Sequence, residues 1–126
     1  MQLLYIIMAR QERFNFYAVK LTGIMLLIFI LQIFSGGFTE MFLLDSSSWT
    51  QMWRFFSAIF LHGGLAHLMY NGFALLLFGS ILESLIGGRK FLTVFFVSGI
   101  LANVISVNFY NSSLGASGAI FGVIGA

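Results

Sequence analysis

Leu21 to Phe34 reads LTGIMLLIFILQIF, an apolar run with no charged side chain. Tyr17–Lys20 before it and Gly36-Gly37-Phe38 after it bring the run to the ~20 residues that a bilayer-spanning helix needs. A second apolar stretch extends from Met52 to Leu82, too long for one span, and a third from Phe91 to about Val107. Runs of this kind leave few folds open. The chain is 60% hydrophobic and 8% charged, where an average soluble domain is about 25% charged. Six basic and four acidic side chains cannot clothe a water-soluble surface. The expected class is all-α, a polytopic bundle of transmembrane helices. The absence of proline suits uninterrupted helices. The absence of cysteine excludes a disulfide framework and a thiolate metal site. A net charge of +2 does not point to a nucleic-acid partner, and the lipid bilayer is the expected surrounding.

Gly63-Gly64 divides the second stretch, because paired glycines weaken a helix interior. Trp49 to His62 then reads as an interfacial or partly embedded piece. The expected spans are about 21–38, 65–83, 91–107 and an incomplete 115–126. The fourth rises only about 18 Å by Ala126, against a ~30 Å hydrocarbon core, so a longer parent protein is expected. Residues 1–20 are amphipathic and suit the inner membrane surface. Arg10 and Arg13 follow the apolar start MQLLYIIMA, the wrong order for a cleaved signal peptide. Arg10, Arg13, Lys20, Arg89 and Lys90 fall on one side of the expected membrane, and Arg54 on the other with Glu40 and Asp45. The positive-inside rule puts the N-terminus and the Glu83–Lys90 loop in the cytoplasm. Nothing before the first span looks like a transit peptide, which favours the plasma membrane.

Polar residues within a membrane need a reason. His67 and Asn71 are one helical turn apart and share a face. Such a pair can be hydrogen-bonding glue between helices or part of an active site. His62 lies about 140° around from His67 on a continuous helix, so the two share no face unless Gly63-Gly64 breaks it. The stretch HGGLAH lacks the glutamate and spacing of HExxH, and no metal site is expected. Ser117 sits in Leu114-Gly115-Ala116-Ser117-Gly118-Ala119. This is not the GxSxG elbow of soluble hydrolases. Gly118, Gly122, Gly125 and Ala126 form a small-residue packing face, which is the bland reading. A serine at the first turn of a helix also lies near unpaired N–H groups and the positive dipole end, which can stabilise an oxyanion. Trp53-Arg54 suits the membrane interface. Glu83, near the end of the second span, is expected to be solvated or paired with Arg89 or Lys90.

In order, Trp53-Arg54, Phe60-Leu61-His62, His67-Leu68-x-x-Asn71, Gly79-x-x-x-Glu83-x-x-x-Gly87 and Gly115-Ala116-Ser117-Gly118-Ala119-Ile120-Phe121-Gly122 resemble the rhomboid family. The resemblance covers about Trp49 to Ala126. It implies a six-helix membrane core and an intramembrane serine endopeptidase that cleaves transmembrane segments near the outer face of the bilayer. The GxSG serine, here Ser117, would be the nucleophile. His67 and Asn71 would form the oxyanion hole with the Ser117 backbone. His62, Gly115 and Gly118 would support the site, with Trp53, Arg54 and Glu83 in structural roles. The family's base is a histidine on the sixth helix, which residues 1–126 do not include, so this stretch alone is expected to be inactive. No cofactor is implied. The partners implied are transmembrane protein substrates.

Two other readings stand beside this one. A non-catalytic rhomboid-like protein would bind membrane helices, although such relatives typically lose the serine or the histidine. A small transporter would line a pathway with His67 and Asn71 and favour an inverted repeat, which the sequence does not show.

Overall fold

The computed structural model describes residues 1–4 and 14–126. Arg10, Arg13 and the middle of the expected surface segment lie outside the described residues. The chain folds as an α-helical bundle, and among the described residues three helices are long and apolar enough to cross a bilayer. In order, α1 is Tyr17–Phe34, α2 Phe38–Phe42 and β1 Leu44–Asp45. A 3-10 turn at Ser46–Trp49 leads to α3, Arg54–Ser57, and a second turn at Ala58–Phe60. Next come α4, Leu65–Ile86, α5, Gly88–Ser106, β2, Ser112–Ser113, and α6, Ser117–Gly125.

Turn chemistry sets these boundaries. The first span starts at Tyr17 and stops at Phe34, short of the expected Phe38. Ser35 closes the last turn on Leu31, and Gly37 at φ 82° redirects the chain. Only glycine adopts such a φ without strain. Gly63-Gly64 precedes α4, and the extended Gly64 begins it. Gly87, at φ 89°, separates α4 from α5, so the third span opens at Gly88 rather than Phe91. Gly88 has no room for a side chain: a Cβ there would meet the Tyr17 ring at 2.6 Å.

The core lies along helical stripes. Leu68, Leu75 and Leu82 of α4 recur every seven residues and are buried. They meet Ala18, Leu21 and Met25 of α1 and Phe91 and Phe95 of α5. The outward faces are the reverse of a soluble protein's: Leu27, Met69, Phe73 and Phe121 are all exposed. In lipid such faces are solvated, and helices associate through close packing and polar contacts rather than by hiding apolar surface. The α5–α6 pair shows that packing. A Cβ on Gly118 would collide with Ala102, and one on Gly122 with Ser98. Gly99 is closed in the same way by Ile59 and Ala119.

Two polar anchors differ from expectation. Glu83 is neither solvated nor paired with Arg89 or Lys90. It is buried, and its carboxylate accepts from Tyr17 N–H at 2.9 Å and Ala18 N–H at 3.1 Å. The start of α1 has no cap of its own, so the positive helix end takes a negative group from α4. Trp53 is exposed as an interfacial tryptophan would be, but Arg54 is buried. Its guanidinium donates to Gln51 Oε1 at 2.6 Å, Leu43 O at 2.9 Å and Asp45 Oδ2 at 3.0 Å. Those acceptors, all from its own loop, are what allow the charge to be buried.

Replacing Gly122 with alanine should lower stability by about 1–3 kcal/mol through overpacking against Ser98. Ser98→Gly in the same protein should recover most of that loss, read as the thermal midpoint in detergent. An unchanged midpoint for Gly122→Ala would show that α5 and α6 are not in this close register.

Candidate functional site

Ser117 begins α6 and stands at the end of the bundle where α4 starts. Its approach is fixed from two sides. β1 and β2 pair antiparallel, with Leu44 opposite Ser113 and Asp45 opposite Ser112. Two residues on, Gly115 N–H donates to Ala58 O at 2.8 Å. The loop after α1 thus holds the segment that delivers Ser117. Gly115 sits at φ 113°, and a Cβ there would lie 2.7 Å from His67 Cε1 and 2.9 Å from Nε2. Glycine is therefore required at 115 twice, by conformation and by the imidazole against it.

His67 and Asn71 reach Ser117 from one face of α4. His67 Nε2 lies 3.5 Å and Asn71 Oδ1 3.4 Å from Ser117 Oγ. Both are long contacts, at the outer edge of hydrogen-bond range. The break at Gly63-Gly64 brings His62 into the same cluster, its ring centroid 5.0 Å from that of His67. His62 is buried at 2% exposure. Its Nδ1 faces Phe60 O at 3.3 Å and its Nε2 faces Asn71 Nδ2 at 3.0 Å.

These partners fix the direction of every bond. A carbonyl only accepts, so His62 carries its proton on Nδ1 and accepts at Nε2 from Asn71 Nδ2–H. That sets the Asn71 amide with Oδ1 toward Ser117, which donates its hydroxyl proton there. Gly63 N–H donates to His67 Nδ1 at 3.3 Å. With Nδ1 accepting, His67 carries its proton on Nε2 and donates to Ser117 Oγ. In this arrangement His67 offers the serine a donor and has no free nitrogen to take its proton.

Desolvation, reinforced by the neighbouring His67, pushes the His62 pKa down from 6.5 to about 4. His62 thus stays neutral, which its acceptor role requires. Asp45 is held below its usual value, chiefly by the Ser47 hydroxyl bond and, against its desolvation, by the Ser47 backbone and Arg54.

The structure thus gathers Ser117, His67, Asn71, His62 and Gly115 in one cluster, with Gly118 behind it against Ala102. Trp53, Arg54 and Glu83 lie outside it. Two uncharged amides of the apolar runs also bond to backbone. Gln32 bonds His62 of the cluster, and outside the cluster buried Asn103 donates to Phe55 O at 2.8 Å. Their signal was an uncharged amide inside an apolar run.

The family description "Rhomboid domain" matches residues 49–126. Rhomboid protease GluP of Bacillus subtilis is 37% identical over 112 residues, 80% of this chain and 22% of that protein. RHOMBOID-like protein 6, mitochondrial, of Arabidopsis thaliana is 36% identical over 78 residues, 60% of this chain and 25% of that protein. Rhomboid-like protease 3 of Toxoplasma gondii is 39% identical over 77 residues, covering 60% and 29%. The chain therefore spans less than a third of the length of each of these relatives.

The His62 shift sets a pH window. A histidine with a lowered folded pKa contributes stability that is complete above pH 6.5 and is lost as pH falls from 6.5 to about 4. The thermal midpoint should fall across that interval, and His62→Phe should flatten the slope there. Asp45 acts only at lower pH, as its carboxylate protonates.

Proposed function

The chain belongs to the rhomboid family, and from that premise we propose that it carries the nucleophile and oxyanion hole of an intramembrane serine endopeptidase. Ser117 attacks the scissile carbonyl of a transmembrane substrate near the outer face of the bilayer. The observation that carries this reading is the convergence of His67 Nε2 and the Asn71 amide on Ser117 Oγ, at 3.5 Å and 3.4 Å. His67 presents Nε2–H to it because Gly63 N–H occupies Nδ1. Asn71 keeps a second Nδ2 hydrogen beyond the one given to His62. The first-turn amides of α6, which have no partner within the helix, complete a set of donors for developing negative charge.

The proton of Ser117 then needs another acceptor. His67 has its free lone pair engaged, and His62 is separated from Ser117 by Asn71. The base is a further histidine, as the family resemblance implies. It takes the proton as Oγ bonds to the carbonyl carbon and returns it to the leaving amine, and water then hydrolyses the acyl-enzyme. The chain is an integral membrane protein. We place it in the plasma membrane with a cytoplasmic N-terminus. In support, Lys20, Arg89 and Lys90 cluster at the Glu83 end of the bundle, while Glu40 and Asp45 lie toward the Ser117 end.

Ser117→Ala in the complete protein should abolish cleavage of a reporter with a helix-destabilised transmembrane segment, and abolish labelling by a fluorophosphonate. His67→Ala or Asn71→Ala should each lower kcat by about 10²–10³-fold, as for loss of one oxyanion donor. No Ser117-dependent labelling across several reporters and probes would move the assignment to a non-catalytic, helix-binding rhomboid-like protein.

A further inference from the structure

Gln32 lies in the last turns of α1 and is the one side-chain amide in the run Leu21–Phe34. Its carboxamide is laid against the backbone N–H and C=O of a single residue. Gln32 Nε2 donates to His62 O at 3.0 Å, and His62 N–H donates to Gln32 Oε1 at 3.0 Å. Nε2 also donates to Thr39 Oγ1 at 3.1 Å. The amide cannot be turned over, since exchange of its O and N would set donor against donor and acceptor against acceptor.

His62 needs such a partner. It lies between the turn Ala58–Phe60 and α4, in no helix or strand. Its backbone N–H and C=O are buried with no ladder to join. A polar residue that merely joined α1 to a neighbour would need one bond. Two bonds to one residue fix both its position and its tilt. From that fixed backbone the His62 ring reaches Asn71 Nδ2, and Asn71 reaches Ser117.

We propose that Gln32 is a positioning residue for the Ser117 site: through His62, α1 sets the direction in which the Asn71 amide is presented to the nucleophile. The inference rests on the protease reading above. If the Gln32 bonds are lost, His62 shifts and Asn71 turns, so acylation slows while substrate binding does not change.

The test uses the complete protein in detergent micelles, with three readouts. They are the rate of Ser117 labelling by a small fluorophosphonate, kcat and KM on a transmembrane reporter, and the thermal midpoint. Gln32→Met keeps the volume and removes the hydrogen bonds. Gln32→Glu keeps the shape, and only its protonated carboxyl supplies both the acceptor and the donor. Q32M should slow labelling and kcat by about tenfold to a hundredfold, the scale of a small misplacement, with KM unchanged. The rate of Q32E relative to Q32M should rise as pH falls, a rescue that packing alone cannot give. Wild-type labelling rates in folded Q32M, or a Q32E-to-Q32M ratio that is flat with pH, would overturn the inference and leave the protease reading intact. Should Q32M fail to fold, the Q32E rate relative to wild type decides: it should rise as pH falls, and a flat ratio would overturn the inference. A wild-type protein with no Ser117-dependent labelling would overturn both.

Discussion

The Asn71 amide faces two ways, and the site depends on that fact. One side gives a hydrogen to His62 Nε2, and the other accepts the Ser117 hydroxyl. Water cannot freely substitute for a missing partner at a buried amide, so each neighbour must have one polarity. The Phe60 carbonyl makes His62 an acceptor, His62 turns Asn71, and Asn71 orients the serine. From the other side, Gly63 N–H makes His67 a donor. Two backbone groups flanking the glycine break thus write the electrostatic sense of the whole cluster.

The scaffold exists to hold those side chains at bonding distance. Ser117 belongs to α6, while His67 and Asn71 belong to α4, so the site is as good as the register between these helices. Gly118 and Gly122 let α6 lie close against α5, and Gly115 leaves room for the His67 ring. The glycine surface that reads as plain packing is therefore also what brings the serine within reach. At the far end, Glu83 ties α4 to the start of α1. The two tethers, Glu83 at one end of α1 and Gln32 near the other, are polar bonds where apolar burial has little driving force.

Much of this was legible in the sequence for physical reasons. Apolar runs of spanning length announce helices, and the i, i+4 spacing of His67 and Asn71 puts both on one face whatever the fold. Gly63-Gly64 signals a break, and that break is what lets His62 join residues it could not face on a continuous helix. The Gly115–Gly118 pattern reads as packing on its own and marks the serine only through the resemblance to the rhomboid family. The misses share another cause. Arg54, Glu83, Gln32 and Asn103 all bond wholly or partly to backbone groups. A backbone carbonyl or N–H looks the same at every residue, so such pairings leave no trace in residue type. Arg54 next to Trp53 therefore reads as an interface pair, and Glu83 next to Arg89 as a salt bridge. The β1–β2 pairing is hidden for the same reason.

The site as built requires that His67 meet Ser117 as a donor. The most direct measurement is the ¹⁵N NMR spectrum of His67 in the reconstituted protein at neutral pH, assigned by loss of the signal in His67→Ala. The expected spectrum shows the proton on Nε2 and a hydrogen-bonded, unprotonated Nδ1. A ring protonated on Nδ1, with Nε2 bare toward Ser117, would contradict it and make His67 a candidate base instead.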